Sequence, residues 1–163
     1  MNVLLALKNA VFTLLVPGTA AVVVPWLVVR NAQPALDPIS WPGAVMIALG
    51  VALYAWCLWN FATVGRGTPG PWDPPRRFVA TGPYRWVRNP MYISALTVVT
   101  GEAWLFMSLP LAVYAALMFA VFHAFVVIYE EPTLAQLFDG EYVAYRQAVS
   151  RWIPRPPRGV AAT

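Results

Sequence analysis

Histidine and cysteine each occur once in the chain, as His123 and Cys57. One histidine without a cysteine cluster cannot build a zinc centre, so no metal is expected. A single thiol inside an apolar run excludes an internal disulfide, and Cys57 reads as a small buried hydrophobe. Charge is scarce too: Asp, Glu, Lys and Arg make up 11% of the 163 residues, against roughly 25% in a soluble domain. There is no Walker loop, no dinucleotide-binding glycine fingerprint after a strand and no nucleophile elbow, which removes the familiar nucleotide and acyl-transfer sites. No internal repeat points to an array, and no clean small-residue cleavage site follows the first apolar run, which is therefore expected to remain as a helix.

What is present is mostly oil. Hydrophobic residues make up 60% of the chain and the mean hydropathy is +0.60, which defines an integral membrane protein of a length suited to one domain, residues 1–163. Four runs approach the roughly 20 residues needed to cross a bilayer: about 9–29, 41–64, 91–107 and 110–129. The expected fold is an all-α polytopic membrane bundle of about four transmembrane helices, with an irregular loop and a C-terminal amphipathic interfacial helix. Only Ser108 and Leu109 separate the last two runs, so they form a tight antiparallel hairpin. The net charge of +4 is clustered. Arg66, Arg76, Arg77, Arg85 and Arg88 lie in the loop before the third run, and Arg146, Arg151, Arg155 and Arg158 lie in the tail. Clustered arginines in a membrane protein report topology and not nucleic-acid binding, and they place the loop, the tail and both termini on the cytoplasmic side of what is expected to be a bacterial inner membrane.

Two polar segments therefore face each other at one boundary. The loop ends in TGPYRWVRNPMY, where Asn89 and Pro90 read as cap and first turn of the third helix, and Arg88 can reach an anion drawn to that helix's positive end. The fourth run ends in YEEPTLAQLFDGEYVAYRQAVSRW. Glu130 and Glu131 at a lipid boundary require partners, either arginines in structural ion pairs or a cationic, hydrogen-bonding ligand. Tyr142, Tyr145, Val149 and Trp152 recur at helical spacing and form the apolar stripe of a lid-like amphipathic helix. His123, seven residues before Glu130, is expected on the same inward face, either as a hydrogen-bonded interior residue or as a catalytic one. Glu102, near the opposite boundary, is expected to reach for water.

The pair of segments, in this order and separated by a helical hairpin, resembles the carboxy-terminal half of the integral-membrane methyltransferases. That group includes isoprenylcysteine carboxyl methyltransferases and phosphatidylethanolamine N-methyltransferases. The resemblance covers about residues 60–155. It implies that S-adenosylmethionine is the cofactor, bound at the cytoplasmic boundary, and that a lipid or lipidated acceptor arrives from the bilayer. Gly82, Tyr84, Arg88, Asn89, Pro90, Tyr92, Glu130 and Glu131 are the implied cofactor-binding residues, with Tyr84 or Trp86 against the adenine or sulfonium. Arg88, Arg151 and His123 are the implied catalytic group, with Arg151 orienting a carboxylate acceptor and His123 or a glutamate serving an amine. Asn89 stands where the prenylcysteine enzymes have histidine and matches the Asn-Pro-Met-Tyr of the phospholipid enzymes, whereas the tail is closer to the prenylcysteine group. Gly65 and Gly67 are loosely similar to a cofactor-binding Gly-x-Gly. A sterol-type reductase using NADPH, whose family resembles the same loop and tail, and a non-catalytic membrane scaffold are the alternatives.

Overall fold

A computed structural model describes residues 3–34, 38–65 and 78–156. Every regular element among them is helical. The first membrane helix is continuous but changes pitch: α1 (Val3–Thr13) passes through a π-helical segment, Leu14–Val23, into α2 (Val24–Val29). Pro25, just beyond this segment, leaves one of its carbonyls without an intrahelical partner. In a π segment each N–H bonds five residues back, so the partner of the Ala20 carbonyl would be residue 25, and proline has no N–H to give. The Tyr114 hydroxyl donates to that carbonyl instead, at 2.8 Å. A cross-helix bond thus fills the place of the missing intrahelical one.

Helix α3 (Trp41–Asn60) opens with Pro42 in its first turn and closes in a second π segment, Phe61–Gly65. Helix α4 (Pro90–Leu105) lies against α3 with backbones nearly touching. A Cβ on Gly43 would sit 2.6 Å from the Gly101 carbonyl oxygen, and one on Gly50 would sit 2.8 Å from that of Ser94. Without lipid-excluded hydrophobic force between helices, this small-residue contact is what lets them pack. The chain then reverses at Met107, with φ +47, and Ser108 caps α5 (Leu109–Phe125) by accepting from the Leu111 amide. A third π segment, Val126–Glu130, leads directly into α6 (Glu131–Ala148), whose helical winding is broken by a kink at Asp139, with φ +31.

Among the described residues, three helices are long and apolar enough to cross a membrane, Leu7–Val29, Trp41–Gly65 and Leu109–Ala148, the last of which turns polar at the paired glutamates. The third expected span, about 91–107, is formed by α4 to within two residues at each end. Helix α4 has 16 residues, about 24 Å at 1.5 Å per residue, because Asn89-Pro90 fixes one end and the Met107 reversal the other. The bundle core lies between these helices: Ala21, Ala95, Val99, Ala115 and Met118 pack together, and Val29, Ala103 and Leu111 form a second cluster towards the α4–α5 turn. Glu102, near that turn, does not reach for water with both oxygens; its Oε2 is buried and has no hydrogen-bond partner.

Candidate active site

The two polar segments meet at the end of the bundle away from the α4–α5 turn. The loop enters the site through a 3₁₀ turn, Gly82–Arg85, that only glycine can begin: Gly82 has φ +57, and a Cβ there would lie 2.6 Å from the Asn60 amide nitrogen. Asn60, at the last turn of α3, accepts from the Thr81 hydroxyl at 2.8 Å and donates to the Trp56 carbonyl at 2.8 Å. It pins the loop to the bundle. A polar residue at the end of an apolar run was the available signal for this role.

The tail is strapped across the same place by backbone. The Arg88 amide donates to the Ser150 carbonyl and the Arg155 amide to the Trp86 carbonyl, both at 2.9 Å. Asn89 occupies the position before α4, but its side chain makes no capping bond; its amide donates to the Arg151 carbonyl at 3.1 Å. Pro90 takes the first helical turn as expected. The Tyr145 hydroxyl donates to the Tyr84 carbonyl at 2.7 Å. Burial pushes both tyrosine hydroxyls above their ordinary range, so they act as neutral groups. Phe78 completes the joint, its ring 4.9 Å from that of Tyr145 and edge-on to Tyr142.

The expected apolar stripe divides here. Tyr142, Tyr145 and Val149 pack together, but the helix ends at Ala148 and Val149 is extended, so Trp152 leaves the stripe. Its ring stacks near Phe119, 5.2 Å away, and its indole N–H donates to His123 Nδ1 at 3.0 Å. His123 is exposed on α5 and does not face inward with Glu130. The cause is the π segment between them: at about 4.4 residues per turn in place of 3.6, it offsets the heptad register on which the shared face depended.

The paired glutamates have separate surroundings. Glu131 is buried, and both of its oxygens are taken by arginines: Oε1 by Arg88 Nη1 at 2.9 Å and Arg151 Nε at 2.6 Å, Oε2 by Arg151 Nη2 at 3.0 Å. Burial opposes ionisation of Glu131, but the Arg151 hydrogen bonds and the charges of Arg88 and Arg151 outweigh it and hold its carboxyl below the usual range. Glu130 Oε2 accepts one bond, from the Tyr92 hydroxyl at 2.7 Å.

Arg88, Asn89, Tyr84, Tyr92, Glu130 and Glu131 all line one cavity of about 490 Å³. From this polar head the cavity continues as an apolar limb between the first helix, at Val16 and Ala20, and the far end of α5, at Val121 and Phe125. The buried Arg88 Nε has no hydrogen-bond partner, which leaves one unspent donor on a cavity wall residue. Arg151, His123, Gly82 and Trp86 do not line the cavity. Gly82 shapes the loop, Arg151 braces Glu131, and Trp86 is exposed. Gly65 is the buried last residue of its π segment, and Gly67 lies outside the described residues. No group of metal-ligating side chains occurs among the described residues.

An all-α membrane bundle with a charged pocket at one end and an apolar limb beside it is thus the class the fold defines. The chain belongs to the phospholipid methyltransferase family, whose model matches residues 38–141. At family level it is a membrane methyltransferase, and enzymes of this family use S-adenosylmethionine. A search of curated proteins found no match to the chain.

Proposed function

We propose that the protein binds S-adenosylmethionine at the polar head of the cavity and methylates an amine carried by a lipophilic molecule such as a phospholipid. The observation that carries this reading is the division between the adjacent carboxylates. Glu131 is neutralised by two arginines, whereas Glu130 lines the cavity held by a tyrosine hydroxyl alone. Such a site has a carboxylate to spare for a cationic or proton-bearing ligand. A carboxylate acceptor would instead need a free cation, and Arg151 is committed to Glu131 away from the cavity wall.

The residues suit the donor. Arg88, aimed by Glu131, offers its unpartnered Nε to a carboxylate, and Glu130 accepts hydrogen bonds from ammonium or hydroxyl groups. The donor, when bound, supplies an electrophilic methyl carbon on a sulfonium. The chain's own part is positioning and proton handling. An amine must lose a proton so that its lone pair can form the new N–C bond while the C–S electrons return to sulfur, and Glu130, oriented by Tyr92, is placed to take that proton. Aliphatic and aromatic walls keep the reacting atoms dry. The arginine bias supports a cytoplasmic position for this head.

Calorimetry on detergent-purified protein with S-adenosylmethionine, S-adenosylhomocysteine and NADPH tests the donor site, and transfer of labelled methyl to lipid classes tests the acceptor. Glu130→Gln is expected to abolish transfer while eluting as the wild type does. Binding of NADPH alone would favour the reductase, and no binding at all the scaffold.

A further inference from the structure

The cavity, about 490 Å³, has a polar head suited to the donor and an apolar limb that leads away from it. Several wall residues are also exposed to the outside: Val16 on the first helix, Val121 and Phe125 at the far end of α5, and Tyr129 in the π segment beyond it. Their exposure marks a sideways mouth. Its lower edge is the Tyr114–Ala20 bond, which clamps the first helix to α5, and below it Val29 and Leu111 pack into the core. Above the clamp, towards the glutamates, the wider-wound segment around Pro17 stands apart from α5, and the gap is the apolar limb of the cavity.

We propose that this mouth is the specificity-determining subsite for the acceptor: one hydrocarbon chain lies in it between Val16 and Val121–Phe125, with the amine inside and the rest of the lipid in the bilayer. The first helix, which lies outside the family-matched residues 38–141, then decides which lipophilic amines are accepted. The chemistry agrees at both ends: the limb offers aliphatic and aromatic side chains, and the head offers charge. This inference rests on the methyltransferase reading for its kinetic test but not for its physical one.

The physical test uses phospholipid vesicles containing a lipid with a photoactivatable diazirine on its acyl chain. Crosslinks are expected to concentrate on residues 12–20 and 121–129. Labelling spread evenly over the exposed face of α3, at Val45, Leu49 and Trp56, would overturn the proposal. In the kinetic test, Val16→Trp narrows the mouth at an exposed position. The ratio of kcat/KM for a long-chain amine to that for a short-chain amine is expected to fall at least tenfold, with the Kd for S-adenosylmethionine unchanged. An unchanged ratio would refute the subsite. Wild-type protein that crosslinks as expected but methylates no amine would overturn the proposed acceptor and leave the mouth standing.

Discussion

Replacing Glu131 by glutamine keeps the side chain's shape and removes its charge, leaving Arg88 and Arg151 facing each other without their shared counter-ion. The two arginines do not suffer equally. The Arg88 side chain is 11% exposed and the Arg151 side chain 32%, so Arg151 can recover water whereas Arg88 cannot. Breaking a buried pair costs about 3–5 kcal/mol, and a solvent-accessible one about 0.2–1 kcal/mol. The loss should therefore fall near 3 kcal/mol, most of it from Arg88. Because Glu131 also aims Arg88, donor affinity should drop roughly tenfold, the worth of one charge-assisted hydrogen bond. Unfolding in mixed micelles, followed by tryptophan fluorescence, measures the first effect, and calorimetry with S-adenosylmethionine the second. A double-mutant cycle with Arg151→Gln should show coupling between the two sites, with part of the cost recovered once the second guanidinium is gone. If Glu131→Gln unfolds at the wild-type midpoint and binds the donor as tightly, the ion triad is not what holds the tail to the loop, and the account of Arg88 fails.

The pH dependence has a definite sign. Because the Glu131 carboxyl titrates below its ordinary value in the folded chain, the unfolded chain takes up the proton first, so its stabilising contribution is complete above about pH 4.3 and fades as pH falls through the lowered native value. Denaturation midpoints measured from pH 6 to pH 3 should decline more steeply for the wild type than for Glu131→Gln, and parallel curves would contradict the assignment. Gly82→Ala forces an L side chain into a left-handed conformation and against Asn60, at a cost of about 2 kcal/mol. It should reduce methyl transfer together with thermal stability, and a fully active, wild-type-stable variant would mean that the 3₁₀ turn is not fixed by that contact.

The membrane helices were legible because each is a long apolar run with marked ends. Asn89-Pro90 marked the start of α4, and the Ser108–Leu109 break marked the turn before α5. Both polar motifs were legible as partners because adjacent glutamates at a lipid boundary demand counter-charges. What the sequence could not carry was the assignment within each pair. Glu130 and Glu131 are neighbours of identical type, and only the direction in which the helix winds decides that Arg88 and Arg151 meet Glu131 while Tyr92 meets Glu130. Uniform α-helical register put His123 beside Glu130, and the π segment at Val126–Glu130 removed it. Nothing in VVIYE announces that wider turn. Trp152 likewise fits a helical stripe on paper but belongs to an extended strap, because the Arg88 amide and the Asn89 side chain take the backbone carbonyls of Ser150 and Arg151.

The π segments also explain why the cavity exists where it does. Val16, Pro17 and Ala20 come from the first of them, Phe61 from the second, and Val126, Tyr129 and Glu130 from the third, and all line the cavity. A wider turn separates side chains that α-helical winding would stack, so three helices that pack closely near the α4–α5 turn are parted at the polar end. Such winding is rare and recurs at functional sites. It persists here because other contacts hold it: Tyr114 supplies the bond that Pro25 cannot, and the Thr13 and Tyr54 hydroxyls bond at 2.8 Å across the first and second helices. The Gly43–Gly101 contact keeps α3 and α4 together below the cavity, leaving the first helix as the element that can stand away. One consequence is that the polar head and the lipid-facing mouth both sit at departures from α-helical pitch, the head at Val126–Glu130 and the mouth at Leu14–Val23. Substitutions that restore regular winding in the first helix should therefore close the mouth without touching a charged residue.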